Sequence, residues 1–461
     1  MPSRTTVKDL TAAIWSLEGE LDLLHRPIAG VKVWQLLRMD IYYALAKGTG
    51  LFSEPHTQNE RFNDIVKNIR SLPGALLNTP LKGKHTKRIL VFDHVRKVRI
   101  DGEYVDIHTK PLLDTLDDKE VDVIEPIYLG RHLTERTPNR YYLDDLAMRS
   151  FLYQQLAPFR FTQSEHAFID QLSRRIAADF GVAIDLKRKF KNEIKHFRCS
   201  TRYYTKLLEK RRPEKIYLVV SYSYYKRPLI AAAKTLGIET VEIQHGTLSP
   251  YHLGYNFPND AGPLDYFPDR FLTFGDYWRD AADYPLPKER IETLGFTHFN
   301  RQRSKYIHLD RNTDQVLFIS QGAIGAQLAE FTLKSLPYLA DKRIYYKLHP
   351  GEYNRWKMDY PALVRAAEHK NFEVIDHNDI DLYTYFGTST YQIGCFSTAL
   401  YEGLAFGCKT IVVDLPGTEY MDDLVSKGIV KKVHTPDMLP SALSALDEVS
   451  FDSRFFFGDS Q

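Results

Sequence analysis

Residues 216–247 read IYLVVSYSYYKRPLIAAAKTLGIETVEIQHGT. An apolar run at residues 216–220 is followed by helical sequence at 227–236, by Gly237, and by a second apolar run that ends at Ile243. A strand, a helix and a strand in this order predict a βαβ unit, in which the two strands run parallel in one sheet. This stretch therefore predicts the α/β fold class.

The same alternation continues on both sides of this unit. Strand-like runs come before and after it, at residues 88–92, 121–124, 270–274 and 291–294. Residues 301–312 are polar and basic without an apolar period, so we predict a linker there. Beyond the linker, strands are predicted at 316–320, 344–348, 372–375, 392–396 and 410–413, and helices at 326–335 and 398–406. A second parallel-sheet domain is therefore expected.

The chain is long enough for two hydrophobic cores, since 461 residues exceed the size at which a single core usually stops growing. Apolar residues recur at three- and four-residue spacing from Leu10 to Leu24, which predicts a helix that docks on the body. We predict a helical N-terminal extension at 1–80, a Rossmann-like domain at 81–300, the linker at 301–312 and a second Rossmann-like domain at 313–461. The two domains are expected to face each other.

Composition and charge exclude several classes of protein. Hydrophobic residues make up 43% and charged residues 26%, which is typical of globular domains and excludes a disordered or fibrous chain. The formal net charge is only +2, so no nucleic-acid partner is predicted. Residues 187–215 are locally rich in lysine and arginine. They either face an anionic lipid or glycan, as in a peripheral membrane contact, or form the solvated face of a helix.

The sequence predicts a cytoplasmic location, at the inner face of the membrane if the basic segment binds lipid. Residues 1–24 lack the pattern of a secretory signal, and no run of about 18 apolar residues predicts a membrane span. The three cysteines, Cys199, Cys395 and Cys408, lack metal-ligand spacing and are interpreted as reduced thiols of a cytosolic protein.

Two histidines follow predicted strands, one in each half of the chain. His245 comes two residues after Ile243, and His349 follows the predicted strand at 344–348. Ligands of open parallel sheets sit outside the carboxyl ends of the strands. Pro350 disfavours helical geometry at His349, so the imidazole is expected to project from the end of its strand and contact a phosphate. We therefore predict one cleft between the two domains, which carries out group transfer from an activated donor.

Other residues at strand ends of the second half are candidates for donor binding. Ser320, Gln321 and Gly322 begin a loop before a helix, where backbone amides can approach a phosphate; an ordinary turn is the alternative. Ser397 and Thr398 open another helix, and their hydroxyls either bind phosphate or only cap the helix. Glu402, one turn further along, is a candidate for a ribose contact.

In the first half the candidate catalytic residues are His245, Asp93 and Asp106. An inverting transfer needs a base that takes a proton from the acceptor hydroxyl, and the sequence does not separate these three. His94, Arg96 and His252 are predicted to bind the acceptor.

These motifs, taken together, resemble bacterial surface-polysaccharide glycosyltransferases of the GT-B fold over roughly residues 86–435. The likeness is to capsule and lipopolysaccharide transferases that use CMP-Kdo or CMP-nonulosonic acids, and to CDP-glycerol glycerophosphotransferases. Residues 244–247 resemble a His-Gly-Thr segment, which implies a catalytic role for His245. Residues 347–350 resemble a His-Pro motif that contacts a cytidine nucleotide, which implies donor binding by Lys347, His349 and Pro350. Residues 396–403 resemble a serine-rich phosphate-binding segment.

The chain departs from the sialyltransferase pattern in its acidic motif. Residues 99–102 and 259–262 match that motif only imperfectly. A retaining course with an aspartate nucleophile therefore stays open.

The resemblance implies an enzyme that transfers a sugar from a cytidine-activated donor, held by the second domain, to a growing surface polysaccharide. The acceptor, a lipid-linked glycan or an oligosaccharide, would lie on the first domain. Neither a cofactor nor an obligatory metal is implied. Three alternatives remain: a nucleotide-sugar 2-epimerase, a CDP-glycerol-type glycerophosphotransferase, and an inactive assembly component of a capsule complex.

Overall fold

The βαβ unit of residues 216–247 lies at the centre of a parallel sheet in the computed structural model of the chain. The structure describes residues 6–52, 78–82, 87–127, 131–258, 261–445, 452 and 454–459. The strands of the first half are β1 (Ile89–Phe92), β2 (Val98–Ile100), β3 (Glu103–Val105), β4 (Val121–Glu125), β5 (Arg140–Tyr142), β6 (Lys215–Leu218), β7 (Glu239–Ile243), β8 (Arg270–Thr273) and β9 (Ile291–Thr293). Seven of them form one sheet in the order β5-β4-β1-β6-β7-β8-β9, with every neighbouring pair parallel.

A second parallel sheet follows. Its strands are β10 (Asn312–Ile319), β11 (Arg343–Lys347), β12 (Phe372–Ile375), β13 (Ser389–Gly394), β14 (Lys409–Val413) and β15 (Lys431–Val433). They are ordered β12-β11-β10-β13-β14-β15, and all pairs are parallel. The two sheets confirm the predicted fold class of two Rossmann-like domains.

Helices cover the sheets and form the extension. The described α-helices are α1 (Val7–Leu21), α2 (Val33–Gly48), α3 (Lys110–Leu113), α4 (Asp144–Leu156), α5 (Gln163–Phe180), α6 (Leu186–Arg211), α7 (Lys226–Thr235), α8 (Thr297–Tyr306), α9 (Gly325–Ser335), α10 (Trp356–Asp359), α11 (Pro361–Ala366), α12 (Leu382–Thr388), α13 (Thr398–Phe406), α14 (Asp422–Ser426), α15 (Leu439–Ser444) and α16 (Arg454–Phe457). Short 3₁₀ turns lie at Asp276–Arg279, Lys288–Arg290, Leu336–Leu339, Pro350–Glu352, Thr418–Met421 and Pro436–Met438. None of the described helices combines the length and apolar character that crossing a bilayer requires.

The central strands are buried because helices lie over both faces of each sheet. In β1, Leu90, Val91 and Phe92 are fully buried, and the same holds for Val316 to Phe318 in β10. A strand buried on both faces is apolar at consecutive positions, and for this reason these strands were recognisable in the sequence.

Some elements differ from the prediction. The antiparallel β2–β3 hairpin, β5 and β15 were not predicted. Residues 301–306 of the predicted linker belong to α8. Residues 454–459 were assigned to the second domain, but they also pack on the first, where the Phe456 carbonyl accepts from Trp278 Nε1 at 2.7 Å.

The N-terminal extension contacts both domains. α1 begins with a capping box in which Thr6 and Asp9 exchange hydrogen bonds, and its apolar stripe is buried. The Val7 amide donates to Glu419 Oε1 of the second domain at 2.9 Å. Arg38 of α2 donates to the carbonyl of Leu253 in the first domain at 2.6 Å. The extension therefore ties the two domains together, although residues 53–77 of the predicted 1–80 segment lie outside the described residues.

Candidate functional site

A cleft of about 240 Å³ opens between the loops at the carboxyl ends of the two sheets. The loop after β7 and the loop after β13 meet across it, because the Thr247 amide donates to Thr398 Oγ1 at 3.3 Å. Tyr43 and Phe52 of the extension also line the cleft. The lining residues are Tyr43, Phe52, Thr247, Leu248, Ser249, His252, Gln321, Ala323, Phe396, Ser397, Tyr401, Tyr420 and Met421.

His245 stands at the exit of β7 with both ring nitrogens in contact with tyrosine hydroxyls. Its Nδ1 lies 3.1 Å from the Tyr255 hydroxyl and its Nε2 lies 3.3 Å from the Tyr222 hydroxyl. The Tyr255 hydroxyl donates to Glu242 Oε1 at 2.6 Å. Since the Tyr255 proton is used there, its oxygen accepts from Nδ1–H, and we assign the proton of the neutral imidazole to Nδ1 on this network. Nε2 is then the nitrogen that accepts a proton.

The environment keeps His245 neutral. Burial lowers the pKa of His245 well below its usual range, and the neighbouring His94 and His108 lower it further. Burial also raises the pKa of Glu242 to about 7. A neutral imidazole oriented by a hydroxyl and a carboxylate has the arrangement of a general base.

The turn that carries Tyr255 is held by a buried arginine of the extension. Arg38 is fully buried, donates to the carbonyls of Leu253 and Asn256 at 2.6 and 2.7 Å, and pairs with Glu18 at 2.6 Å. The role of Arg38 was not predicted, because the Leu253 carbonyl is more than two hundred residues away along the chain. Tyr255 and Glu242 were not predicted either, although they lie close to His245 in the sequence and a carboxylate inside a predicted buried strand was a usable signal.

Glycine is required at position 254 in the same turn. A Cβ there would lie 2.6 Å from the Tyr222 ring and 3.0 Å from His252 Cε1. Any larger residue would therefore displace the rings that surround His245.

Asp93 and Asp106 were predicted as alternative bases, and the structure places both in internal contacts. Asp93 accepts from Lys97 at 2.8 Å, Arg140 at 3.0 Å and Thr109 at 2.7 Å. Burial alone would raise its pKa, but the charges of Lys97 and Arg140 outweigh burial and lower the pKa to about 2. Both oxygens of the Asp93 carboxylate are occupied by these partners.

Asp106 has a structural role in the same loop. Its carboxylate accepts from the amides of His94 and His108 at 2.7 and 3.0 Å, and it lies 3.0 Å from the Thr109 hydroxyl that donates to Asp93. Both aspartates thus position the segment after β1, which leaves His245 as the candidate base.

The predicted acceptor residues surround His245 in part. The His94 ring centroid lies 6.0 Å from that of His245. His252 lines the cleft and accepts from the Gly254 amide at 3.2 Å. Arg96 is exposed, and its charge adds to burial in lowering the pKa of both His245 and His349. The charge of Arg96 therefore acts on both strand-end histidines.

His349 adopts the extended conformation that Pro350 was expected to impose, with φ −66° and ψ 142°. Its Nδ1 accepts from the Gly351 amide at 3.1 Å, so Nε2 is the nitrogen turned away from its own backbone. The His349 amide donates at 2.7 Å to Glu352, a fully buried carboxylate that also accepts from Tyr360 at 2.8 Å. Glu352 was not predicted, yet it holds the His349 loop in place.

Ser320 and Lys347 were predicted to bind the donor, and the structure places both in internal contacts. The Ser320 hydroxyl is buried and donates to the same Glu352 carboxylate at 3.1 Å. Lys347 is buried and its ammonium donates to Tyr353 Oη, the His377 carbonyl and Asn378 Oδ1 at 2.6, 2.6 and 3.2 Å. All three protons of the Lys347 ammonium are used in these contacts, and donor binding by Ser320 and Lys347 stays a prediction.

Ser397, Thr398 and Glu402 lie together at the start of α13. The Ser397 hydroxyl accepts from the Ala399 amide at 3.2 Å, which is the capping alternative named above. Thr398 faces the first domain through its contact with Thr247. Burial raises the pKa of Glu402 to about 8, and Tyr383 donates to it at 3.4 Å.

Gln321 presents an unused acceptor beside the cleft. Its Oε1 is buried and has no hydrogen-bond partner among the described residues, and Gly322 follows it in the same loop. Such an atom is typical of a site that a ligand completes. Within the described part of the chain, no group of three His, Cys, Asp or Glu side chains is placed to hold a metal ion.

No protein-family model and no curated protein matches the sequence. Among solved structures, UDP-GlcNAc 2-epimerase from Methanocaldococcus jannaschii has a TM-score of 0.48 and 11% identity, over 81% of this chain and 96% of that chain. The UDP-GlcNAc 2-epimerase from Neisseria meningitidis, bound to UDP-GlcNAc, has a TM-score of 0.43 and 12% identity, over 81% of this chain and 95% of that chain. The glycotransferase of kitacinnamycin has a TM-score of 0.42 and 16% identity, over 78% of this chain and 90% of that chain. Similarity at this level assigns no substrate to the chain.

Proposed function

We propose that the protein is a glycosyltransferase that moves a sugar from a cytidine-activated donor to a hydroxyl group of a surface-glycan acceptor. The observation that carries this proposal is the placement of His245. A neutral imidazole, oriented by Tyr255 and Glu242, stands directly beside the contact between Thr247 and Thr398 that joins the two domains. A base at the boundary between two sheet domains suits a reaction whose two substrates come from opposite sides.

In the proposed reaction, Nε2 of His245 takes the proton of the acceptor hydroxyl, which replaces Tyr222 at this nitrogen. The acceptor oxygen forms a bond to the anomeric carbon of the donor sugar. The bond between that carbon and the nucleotide phosphate oxygen breaks, and its electron pair leaves with the cytidine nucleotide. The imidazolium that forms is stabilised through Tyr255 by the carboxylate of Glu242.

The donor nucleotide is proposed to bind the second domain through Gln321, His349, Thr398 and Glu402. The free N–H groups at the start of α13 favour a phosphate there, and Arg96 supplies a positive charge from the opposite side. The choice of cytidine is supported by the sequence resemblance of residues 347–350 and 396–403. We further propose a cytoplasmic location, which the three unpaired cysteines support.

A panel of CMP, CDP, UDP, GDP and dTDP in a thermal-shift assay tests the nucleotide. At about 100 times the dissociation constant, the correct nucleotide stabilises the fold by about 2.7 kcal/mol. We expect CMP or CDP to give the largest shift, and His349→Ala to reduce it. His369→Ala, at an exposed histidine of the same domain, is the matched control and should behave as wild type. A larger shift with UDP would contradict the proposed donor.

Product analysis tests the reaction. His245→Ala is expected to slow transfer by about 10² to 10⁴, the usual contribution of general base catalysis, while nucleotide binding stays unchanged. His308→Ala, at an exposed histidine, is the control. Nucleotide sugars incubated without acceptor should stay intact; conversion to the 2-epimer would replace this proposal by the epimerase alternative.

A further inference from the structure

Two leucines on α4 are exposed to solvent at neighbouring positions of one helix face. Leu152 is 47% exposed and Leu156 is 78% exposed. Arg149, at 56% side-chain exposure, precedes Leu152 by three residues and lies on the same face. Two adjacent leucines at this exposure form an apolar site with a cation beside it.

The neighbouring helix α6 adds further cations to the same surface. Arg202 and Lys206 are exposed four residues apart, so they share a face of α6. The guanidinium of Arg202 lies 5.9 Å from the centroid of the Tyr153 ring. Tyr153 is four residues after Arg149 and three before Leu156, so it shares their face of α4. The two arginines therefore converge on one area.

The opposite face of α4 is turned toward the first domain. Gln154, two residues from each leucine and therefore on the other side of the helix, donates to the Tyr224 hydroxyl at 3.0 Å. Tyr224 is two residues from Tyr222, whose hydroxyl contacts His245. The helix α4 thus lies between the leucines and the loop that carries Tyr222.

We propose that Arg149, Leu152, Leu156, Arg202 and Lys206, here called the α4–α6 surface, dock the protein on a bilayer that contains anionic lipid. The leucines would enter the boundary between head groups and acyl chains, and the cations would pair with lipid phosphates. Cations beside exposed leucines match the layering of an anionic bilayer, in which phosphates lie above the acyl chains. The inference rests on the proposed function to the extent that the bilayer would present a lipid-linked acceptor to the cleft.

Co-sedimentation with vesicles tests the surface without any substrate. We expect the full-length protein to bind vesicles of phosphatidylcholine with phosphatidylglycerol, to bind pure phosphatidylcholine weakly, and to dissociate as salt is raised. The variant Arg202→Ser with Lys206→Ser should lower the partition coefficient by about 25-fold, since each cation contributes about fivefold. Leu152→Ser with Leu156→Ser should lower it at least about tenfold.

Matched controls come from the second domain. Met358 is as exposed as Leu156, at 78%, and Lys334 and Lys370 are exposed cations. Met358→Ser and the pair Lys334→Ser with Lys370→Ser should bind vesicles as wild type does. If the control variants lose as much vesicle binding as the surface variants, the proposal is overturned. Equal binding of wild type to anionic and neutral vesicles also overturns it, and this is the result expected for a surface that binds a protein partner.

The experiment separates this inference from the proposed reaction. His245→Ala should bind vesicles like wild type, and the leucine double variant should keep its rate on a water-soluble acceptor. Loss of that soluble rate in the leucine variant would mean that the α4–α6 surface supports the active-site loop and not a bilayer.

Discussion

Replacing Glu242 by glutamine tests the electrostatics beneath the candidate base. Glu242 is fully buried; its Oε1 accepts from the Ser221 amide at 2.8 Å and from Tyr255 at 2.6 Å. Its Oε2 has no partner among the described residues. Burial raises the pKa of Glu242 from 4.5 to about 7.

The raised pKa makes stability depend on pH in a defined direction. Between pH 4.5 and pH 7 the folded protein keeps a proton on Glu242 that the unfolded chain has lost. Because the folded state binds more protons in this window, the free energy of unfolding falls as the pH rises through it. The difference between 7 and 4.5, at about 1.36 kcal/mol for each pH unit, corresponds to about 3 kcal/mol.

Glutamine keeps the shape of the side chain but does not titrate. The difference in unfolding free energy between Glu242→Gln and wild type should therefore move in favour of the variant by about 3 kcal/mol from pH 4.5 to pH 8. Other groups with shifted pKa values, such as His94 at about 4, are present in both proteins and cancel. Urea unfolding of both proteins at half-unit pH steps measures the difference.

Glu289→Gln provides the baseline, since Glu289 is exposed on the same domain. Its difference from wild type should stay flat over the same pH range. If the Glu242→Gln and wild-type curves stay parallel from pH 4.5 to pH 8, the buried carboxylate does not have a raised pKa, and the electrostatic description of the His245 site is wrong.

Three further substitutions have defined outcomes. Tyr255→Phe removes the acceptor of the Nδ1 proton of His245, so kcat should fall about 10- to 100-fold with little change in KM, as steady-state kinetics would show. Arg38→Met leaves its glutamate partner charged and buried, and the free energy of unfolding in urea should fall by about 3 to 5 kcal/mol; an unchanged midpoint would mean that the pair is hydrated. Gly325→Ala brings a Cβ against the carboxylate of Glu352, so stability should fall by about 1 to 3 kcal/mol, with a smaller thermal shift by CMP because the His349 loop moves.

Much of the fold could be predicted because parallel strands buried on both faces are continuous apolar runs. The central strand β1 and residues 316–319 of β10 have this pattern, and their predicted and observed positions agree within a few residues. The strands that were missed are short and lie at the edge of a sheet or outside it. β5 and β15 have three residues each, and β2 and β3 are largely exposed, so their existence depends on the strand beside them and not on their own sequence.

The candidate site divides along the same line. His245 and His349 could be recognised because each follows a strand directly, and strand ends are where ligands of parallel sheets bind. Their supporting residues could not be recognised. Arg38 reaches the turn after His252 across more than two hundred residues of sequence, and Lys347 is occupied by a carbonyl thirty residues away.

The amino-acid sequence by itself determined the two sheets, the strand ends and the two histidines shown there, because apolar periodicity and strand length are properties of neighbouring residues. Only the tertiary structure decided which polar groups remain available for chemistry. Asp93 and Lys347 have the same side chains in the unfolded and the folded chain. In the folded chain, burial makes an unpartnered charge costly, and the partners come from distant segments. A residue's chemical type is local, whereas its availability depends on what the fold places against it.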